Sequence, residues 1–455
     1  VAGTERALQA QRRGRLCGGS GARAGQSNGR SGRQQGKTAR QSGQAHGWGA
    51  GQAGRAGGSL TQHQANIGPG AARDIALREV RGIIGFTTRP SAHACCASPR
   101  RRAAPPPLTV TALPDARLQA LRTWLAAAAL PGLDLDSLRP ASADASFRRY
   151  FRLDVDCGPA AGGSVIAMDA PPDKEDSRPF IAVAQLLAQA GLHAPRVLAQ
   201  DLAQGFLLLT DLGQTTYLQA LQSGRHEPAP LFAQASAALI TWQQASRPGV
   251  LPPYDAALLQ RELALFPDWY VARHLQHGLS SAQRERLAAV ERLLVDSALA
   301  QPRVYVHRDY MPRNLMVAEP GPGILDFQDA VYGPVTYDMV SLLRDAFISW
   351  EEEQVLDWAI RYWERARGTG VLGELGEDFA AFYRAFEWMG LQRHLKVLGI
   401  FARINYRDGK PHYLADTPRF TRYVRQVAQR YAALKPLALL MDELEGAAVQ
   451  VGYTF

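Results

Sequence analysis

The stretch from His307 to Asp338, HRDYMPRNLMVAEPGPGILDFQDAVYGPVTYD, constrains this chain more than any other. Asp309 is followed five residues later by Asn314, and Asp326 comes twelve residues after that, closing the apolar run Gly323-Ile324-Leu325, which reads as a strand. Phosphoryl transfer needs one carboxylate beside the attacking hydroxyl, and an amide oxygen with a second carboxylate to hold the Mg²⁺ ions that bridge the nucleotide phosphates. Mg²⁺ takes oxygen ligands and keeps several waters, so one carboxylate and one amide, completed by phosphate oxygens, are a sufficient set. Asp309 suits the first task, as candidate catalytic base, and Asn314 and Asp326 suit the second, as candidate metal ligands. A lone Asp or Asn in a polar loop is ordinarily a turn residue. Three at this spacing, with strand-like Val304-Tyr305-Val306 before them and Leu315-Met316-Val317 between, point to a site instead.

The combination H-R-D-x(4)-N plus D-F-Q resembles the catalytic and metal loops of the kinase-like superfamily, whose second motif is D-F-G in protein kinases. Gln328 replaces that Gly, and no A-P-E follows. The D-F-Q-D form is instead similar to that of aminoglycoside phosphotransferases and related small-molecule kinases.

Charge divides the chain in two. Of 51 Lys+Arg and 42 Asp+Glu, residues 1–107 hold 17 and 3, so the net charge of +9 comes from a leader of +14 ahead of a body of −5. The leader is rich in Gly, Ala, Gln, Ser and Arg and lacks periodicity up to about Gly70, the composition of a segment that cannot bury enough apolar surface to offset its conformational entropy. Basic tails attract phosphate backbones, but Trp48 and Phe86 are its only aromatics, so no nucleic-acid partner is expected. A disordered extension, or translated upstream sequence with a true start near Val110, is the expectation. The four cysteines, at 17, 95, 96 and 157, lack the spacing of a disulfide framework or zinc site. No run approaches a membrane span or the apolar core of a signal peptide. A cytoplasmic protein without a membrane or obligate protein partner is expected.

Order begins at Pro114-Asp115, a helix start signal ahead of Leu118, Leu121, Trp124 and Leu125 at helical spacing. Residues 143–155 then pass from small and polar into an alternating strand, where a protein kinase would carry G-x-G-x-x-G over the phosphates. Ala143, Ala145 and Ser146 stand there instead. The strand Ser164–Asp169 has Met168 where a phosphate-pairing Lys is expected, and the following helix, about 178–190, has no acid to partner one. With both absent, Mg²⁺, loop amides and Arg148, Arg149 or Lys174 are expected to meet the phosphate charge. Strands at Val197-Leu198 and 206–209 lead to Thr210-Asp211-Leu212-Gly213, placed as a hinge that would pair with adenine. Helical patterns follow at 229–245, 255–276, 280–299, 335–347, 351–367, 375–393 and 418–434. This order predicts an α+β, bilobal protein-kinase-like fold: leader 1–107, an antiparallel-sheet N-lobe at 108–213, and a helical C-lobe at 214–455.

From roughly 115 to 440 the chain resembles the aminoglycoside phosphotransferase (choline/homoserine kinase-like) family, and within it the bacterial anomeric kinases of N-acetylmuramate and N-acetylglucosamine. MDAPP at 168–172, HRDYMPRNLMV at 307–317 and LDFQDAVYGPVTYDMVSLLRDAFISW at 325–350 carry the closer likeness. The resemblance implies ATP and Mg²⁺ as cofactors, Asp309 as catalytic base, and Asn314 and Asp326 as metal ligands. Ser146, Phe147, Arg148 and Arg149 would bind the nucleotide from above, and Thr210, Asp211 and Leu212 from the hinge. It further implies an amino-sugar substrate phosphorylated at the anomeric hydroxyl in peptidoglycan salvage. His307 is expected to brace the loop, and Asp338 to cap a helix. Arg308 stands where many relatives have Gly. Arg393, His394, Lys396, Arg403, Arg407, Lys410 and His412 outnumber the acids of 386–416, which suits a neutral or anionic substrate better than a polycation. An aminoglycoside or other small-alcohol phosphotransferase and a catalytically silent binding module remain the alternatives.

Overall fold

The computed structural model describes residues 115–446 except 129, 144–146 and 157–162. The expected leader 1–107 and Ser146 lie outside the described residues. The sheet-rich part begins with helix α1 (Ala116–Ala127), whose N-cap Asp115 accepts the Leu118 amide at 3.0 Å. Strands β1 (Arg139–Ala143), β2 (Arg149–Val155) and β3 (Gly163–Asp169) follow, then helix α2 (Arg178–Gln189) and strands β4 (Val197–Asp201) and β5 (Phe206–Thr210). They form one antiparallel sheet in the order β1-β2-β3-β5-β4.

Strand alternation sorts this sheet into two faces. Phe151, Leu153 and Val155 of β2, Val165 and Ala167 of β3, and Phe206 and Leu208 of β5 pack with Leu121 and Leu125 of α1. Met168, Leu207 and Leu209 point the other way, joining Phe180 of α2 and the helical core. One face of the sheet is thereby sealed by α1, and the other roofs a cleft.

Below lie α3 (Tyr217–Gln222), α4 (Pro228–Gln244), α5 (Ala256–Leu263) and α6 (Ser281–Leu299). Next come strand β6 (Arg303–Val306), the hairpin β7 (Leu315–Met316) with β8 (Gly323–Ile324), and β9 (Val331–Pro334), which pairs antiparallel with β6. Helices α7 (Tyr337–Leu343), α8 (Glu352–Arg367), α9 (Phe379–Asp408), α10 (Thr417–Arg430) and α11 (Lys435–Leu444) complete the lobe. The bilobal expectation holds, with differences in detail.

The single helix expected over 255–276 stops at Leu263 and continues as a π-helical stretch, Phe266–His274, with Pro267 near its start. The helix expected to end near 393 runs on to Asp408, where Gly409 adopts φ 68° as a left-handed terminator. These departures meet at Gly399. A Cβ there would lie 2.3 Å from the Leu265 backbone, so only glycine lets α9 pass the break between α5 and the π-helix. Strands β1 and β9 are additions to the expected set. Among the described residues no helix is long and apolar enough to cross a membrane.

Candidate active site

The loop between β6 and β7 carries the candidate base, and buried neighbours fix its backbone. His307 is 1 % exposed. Its Nε2 donates to the Leu325 carbonyl at 3.0 Å and its Nδ1 accepts the Asp309 amide at 3.3 Å. Burial lowers its pKa to about 4, so the ring is neutral and joins the loop of the candidate base to the loop that follows β8. Asp338, fully enclosed, accepts the amides of His307 at 2.7 Å and Arg308 at 3.0 Å. Burial pushes its pKa up to about 7, against the pull of those two amides. Asp338 is therefore a brace of the catalytic loop rather than the expected helix cap; Thr336 holds the N-cap position of α7.

Arg308 has φ 75°, a left-handed backbone that glycine adopts without strain and other residues rarely adopt. Its guanidinium pairs with Glu262 of α5. Lys396 of α9 donates to the same carboxylate at 2.8 Å and to the Tyr337 hydroxyl at 3.0 Å. Burial would raise the Glu262 pKa, but Lys396 and Arg308 outweigh it and hold the group down at about 2. Of the cations expected to suit a neutral or anionic substrate, Arg393, His394 and Lys396 are buried inside the helical lobe, and Lys396 is engaged by Glu262.

The metal loop follows β8. Asp326 has φ 61°, and its Oδ1 accepts from Gln328 Nε2 at 2.8 Å. The Gln in D-F-Q thus orients the carboxylate. Asn314 Nδ2 donates to the Asp309 carbonyl at 3.0 Å and to Asp326 Oδ2 at 3.3 Å, bringing the two candidate ligands together and leaving the amide oxygen for a cation. Both residues line a cavity of about 290 Å³ under the sheet, opposite the hinge residues Thr210, Asp211 and Leu212. Asp309 is outside the cavity wall and half-buried at its edge, one hydrogen bond away through Asn314.

The roof differs from expectation. Arg149 shares the parity of Phe151, so it leaves the cleft and pairs with Asp115 and with buried Asp169 on the outer face. Its expected phosphate role is corrected to a bracket between α1 and the sheet. Arg152, which the sequence reading passed over, lines the cavity and holds Asp211 at 2.5 Å and the Gly213 carbonyl at 2.7 Å. Ser164 donates to the same Asp211 at 2.6 Å. The signal was present in β2, since alternating Phe151, Leu153 and Val155 force Tyr150 and Arg152 to the opposite face. Phe147 is 64 % exposed, and Arg148 pairs with Glu175 at 3.0 Å.

A family model described as "Phosphotransferase enzyme family" matches residues 137–387, a span that holds the sheet, the hinge and both loops. The chain belongs to the phosphotransferase enzyme family. It is 53 % identical over 345 residues to an N-acetylmuramate/N-acetylglucosamine kinase of Pseudomonas aeruginosa, covering 73 % of this chain and 98 % of the relative. A protein of the same name from Pseudomonas putida is 50 % identical over 342 residues, with the same coverage. Among solved structures, this phosphotransferase matches a choline kinase from Cryptosporidium parvum with TM-score 0.50 and 12 % identity, over 71 % of this chain and 99 % of that one. That likeness concerns the fold alone, which is kinase-like.

Proposed function

We propose that this phosphotransferase uses ATP and Mg²⁺ to phosphorylate the anomeric hydroxyl of N-acetylmuramate and N-acetylglucosamine, as a cytoplasmic step in the salvage of cell-wall sugar. The observation that carries the reading is the approach of Asn314 to Asp326 at 3.3 Å on the cleft floor, beneath the hinge. The substrate follows from the two Pseudomonas relatives, whose length the match covers almost entirely.

The donor set fits Mg²⁺, being a hard carboxylate and an amide oxygen. Among the described residues no group of three or more His, Cys, Asp or Glu forms a metal cage, and a site completed by phosphate oxygens and water needs none. When bound, the metal supplies positive charge to the nucleotide phosphates. Thr210, Asp211 and Leu212 would seat the base, and Arg148 would meet the phosphates. Asp309 takes the proton of the attacking hydroxyl. An anomeric hydroxyl is more acidic than an ordinary sugar hydroxyl, so the demand on this base is modest and positioning does most of the work. His307 serves that positioning by accepting the Asp309 amide, and Asp338 by holding the amides of His307 and Arg308 just before it.

The test is Mg-ATP turnover with N-acetylmuramate, N-acetylglucosamine and kanamycin, with phosphorus NMR of the products. Expected is a sugar 1-phosphate. Preferential phosphorylation of kanamycin would establish the aminoglycoside alternative, and absence of turnover on every acceptor would establish the binding module.

A further inference from the structure

Protein kinases orient the nucleotide phosphates with a lysine on the third strand, held by a glutamate of the next helix. This chain has neither. Met168 on β3 is fully buried beside Phe180 and Leu207, and α2 contains no acidic residue. Arg149 serves the outer face of the sheet, and Lys174 stands 52 % exposed, 3.5 Å from Asp173.

Arg148 is placed differently. It immediately precedes β2, one residue before Arg149. Its side chain is 10 % exposed, and its Nη2 donates at 3.0 Å to Glu175, which is 16 % exposed. Glu175 sits in the turn between β3 and α2, just short of the helix. Arg148 is also hydrogen-bonded to Tyr150, a residue of the cavity wall, and feels the charge of Asp326 in the metal loop. Burial would lower its pKa, and Tyr150 and Glu175 more than offset that. A guanidinium carries five donors in a rigid fork, so one edge can be held by a carboxylate while another meets phosphate oxygens.

From this placement we propose that Arg148 and Glu175 are the phosphate-orienting ion pair of this chain. Arg148 reaches the polyphosphate of the nucleoside triphosphate, and Glu175 is its positioning residue. The cation has moved from β3 to the residue before β2, and the acid from α2 to the turn before that helix. The joint absence of a cleft cation on β3 and an acid in α2 is then one change rather than two. The inference rests on reading the cleft as a nucleotide site.

The experiment compares wild type with Arg148→Ala, Arg148→Lys, Glu175→Gln and the Arg148→Ala/Glu175→Gln double variant. Arg178→Ala, which removes a 78 % exposed partner of Asp176, is the control. Arg148→Ala should raise the KM for ATP and lower kcat, for a combined loss of about 10²-fold, with the sugar KM unchanged. Glu175→Gln should lose about tenfold in the same parameters. The double variant should be no worse than Arg148→Ala, because Glu175 acts through Arg148. Arg148→Lys should recover part of the loss, and the control should match wild type. Arg148→Ala within twofold of wild type overturns the proposal, as do additive losses in the double variant. Equal rises in both KM values with a lowered melting temperature would make the pair structural and also overturn it. If wild type phosphorylates no sugar, the substrate reading falls on its own, and calorimetry of Mg-nucleotide binding still judges the pair. Wild-type affinity in Arg148→Ala would then reject it.

Discussion

The floor and the roof of the cleft are held by different means. On the floor, His307, Asp338 and Glu262 are buried, and Lys396 reaches Glu262 from within the helical lobe. Each bonds to the backbone of the loop, to another buried group, or to both. In the roof, charged residues stand in ion pairs on strands, with Arg149 more than a third exposed and Arg152 largely covered. A buried polar network is rigid when every member is satisfied and costly when one is removed. Exposed pairs are screened and worth little. The floor thus keeps a fixed geometry for the proposed base and metal ligands, while the roof can lose a contact and still fold. Changes to the floor should strike chemistry, and most changes to the roof should strike stability or nucleotide binding.

The largest effects should come from the floor. Asp309→Asn should lower kcat by about 10²–10⁴-fold, the usual worth of a positioned base, while nucleotide affinity stays near wild type. Steady-state kinetics with a binding titration check both halves; unchanged turnover would remove Asp309 from the mechanism. Asp326→Ala should lose Mg²⁺-dependent nucleotide binding, since the site has no second protein carboxylate beside Asn314 in the proposed set. Calorimetry showing wild-type affinity with Mg²⁺ present would break the assignment of the metal to the floor.

The floor was also the more legible region. Its chemistry depends on residues close together in sequence, so Asp309, Asn314 and Asp326 announce themselves by spacing. Their supports were harder to read. Glu262 and Lys396 lie far apart in the chain and meet at 2.8 Å only after α5 and α9 pack. Asp338 was legible as a residue, but its role was not, because a carboxylate after Thr336 fits a helix start as readily as a brace. In the roof the lobe order is readable, but the place of Arg149 is not legible from charge alone. Charge suggested a phosphate ligand, and the alternation of Phe151, Leu153 and Val155, properly applied, excludes it. The length of α9 was hidden because buried Arg393, His394 and Lys396 interrupt the apolar pattern that marks a core helix.

Arg149→Ala sharpens the comparison from the roof side. It leaves buried Asp169 with Arg117 as its remaining ion-pair partner and frees the α1 cap residue Asp115 from the sheet. The exposed bond to Asp115 adds little, but Asp169 is fully buried, so losing its charged hydrogen bond costs about 2 kcal/mol. Chemical denaturation should show that loss, with the KM for ATP unchanged. A severalfold rise in that KM without loss of stability would return Arg149 to the nucleotide site.

The smallest effect concerns pH and tests whether the floor is as closed as its geometry implies. Asp338 moves from 3.8, the ordinary carboxyl value, to about 7 in the fold. The folded chain binds more protons across that window, so the contribution of Asp338 is full below about pH 4 and is lost as pH rises through 7. His307 runs the other way, from 6.5 to about 4. The unfolded chain binds more protons there, and the His307 contribution is lost as pH falls from 6.5 through 4. The two slopes oppose each other, so the pair leaves wild-type stability nearly level between pH 4 and 6.5. Asp338→Asn keeps the size and one acceptor oxygen, costs about 1 kcal/mol at pH 7.5, and leaves the His307 slope unopposed. The melting-temperature gap between wild type and variant should therefore widen from pH 7.5 to pH 5. A gap that is constant or narrower at pH 5 would mean that Asp338 is ionised throughout, held as an anion by the His307 and Arg308 amides despite its burial, and that solvent or charge reaches the floor as it does the roof.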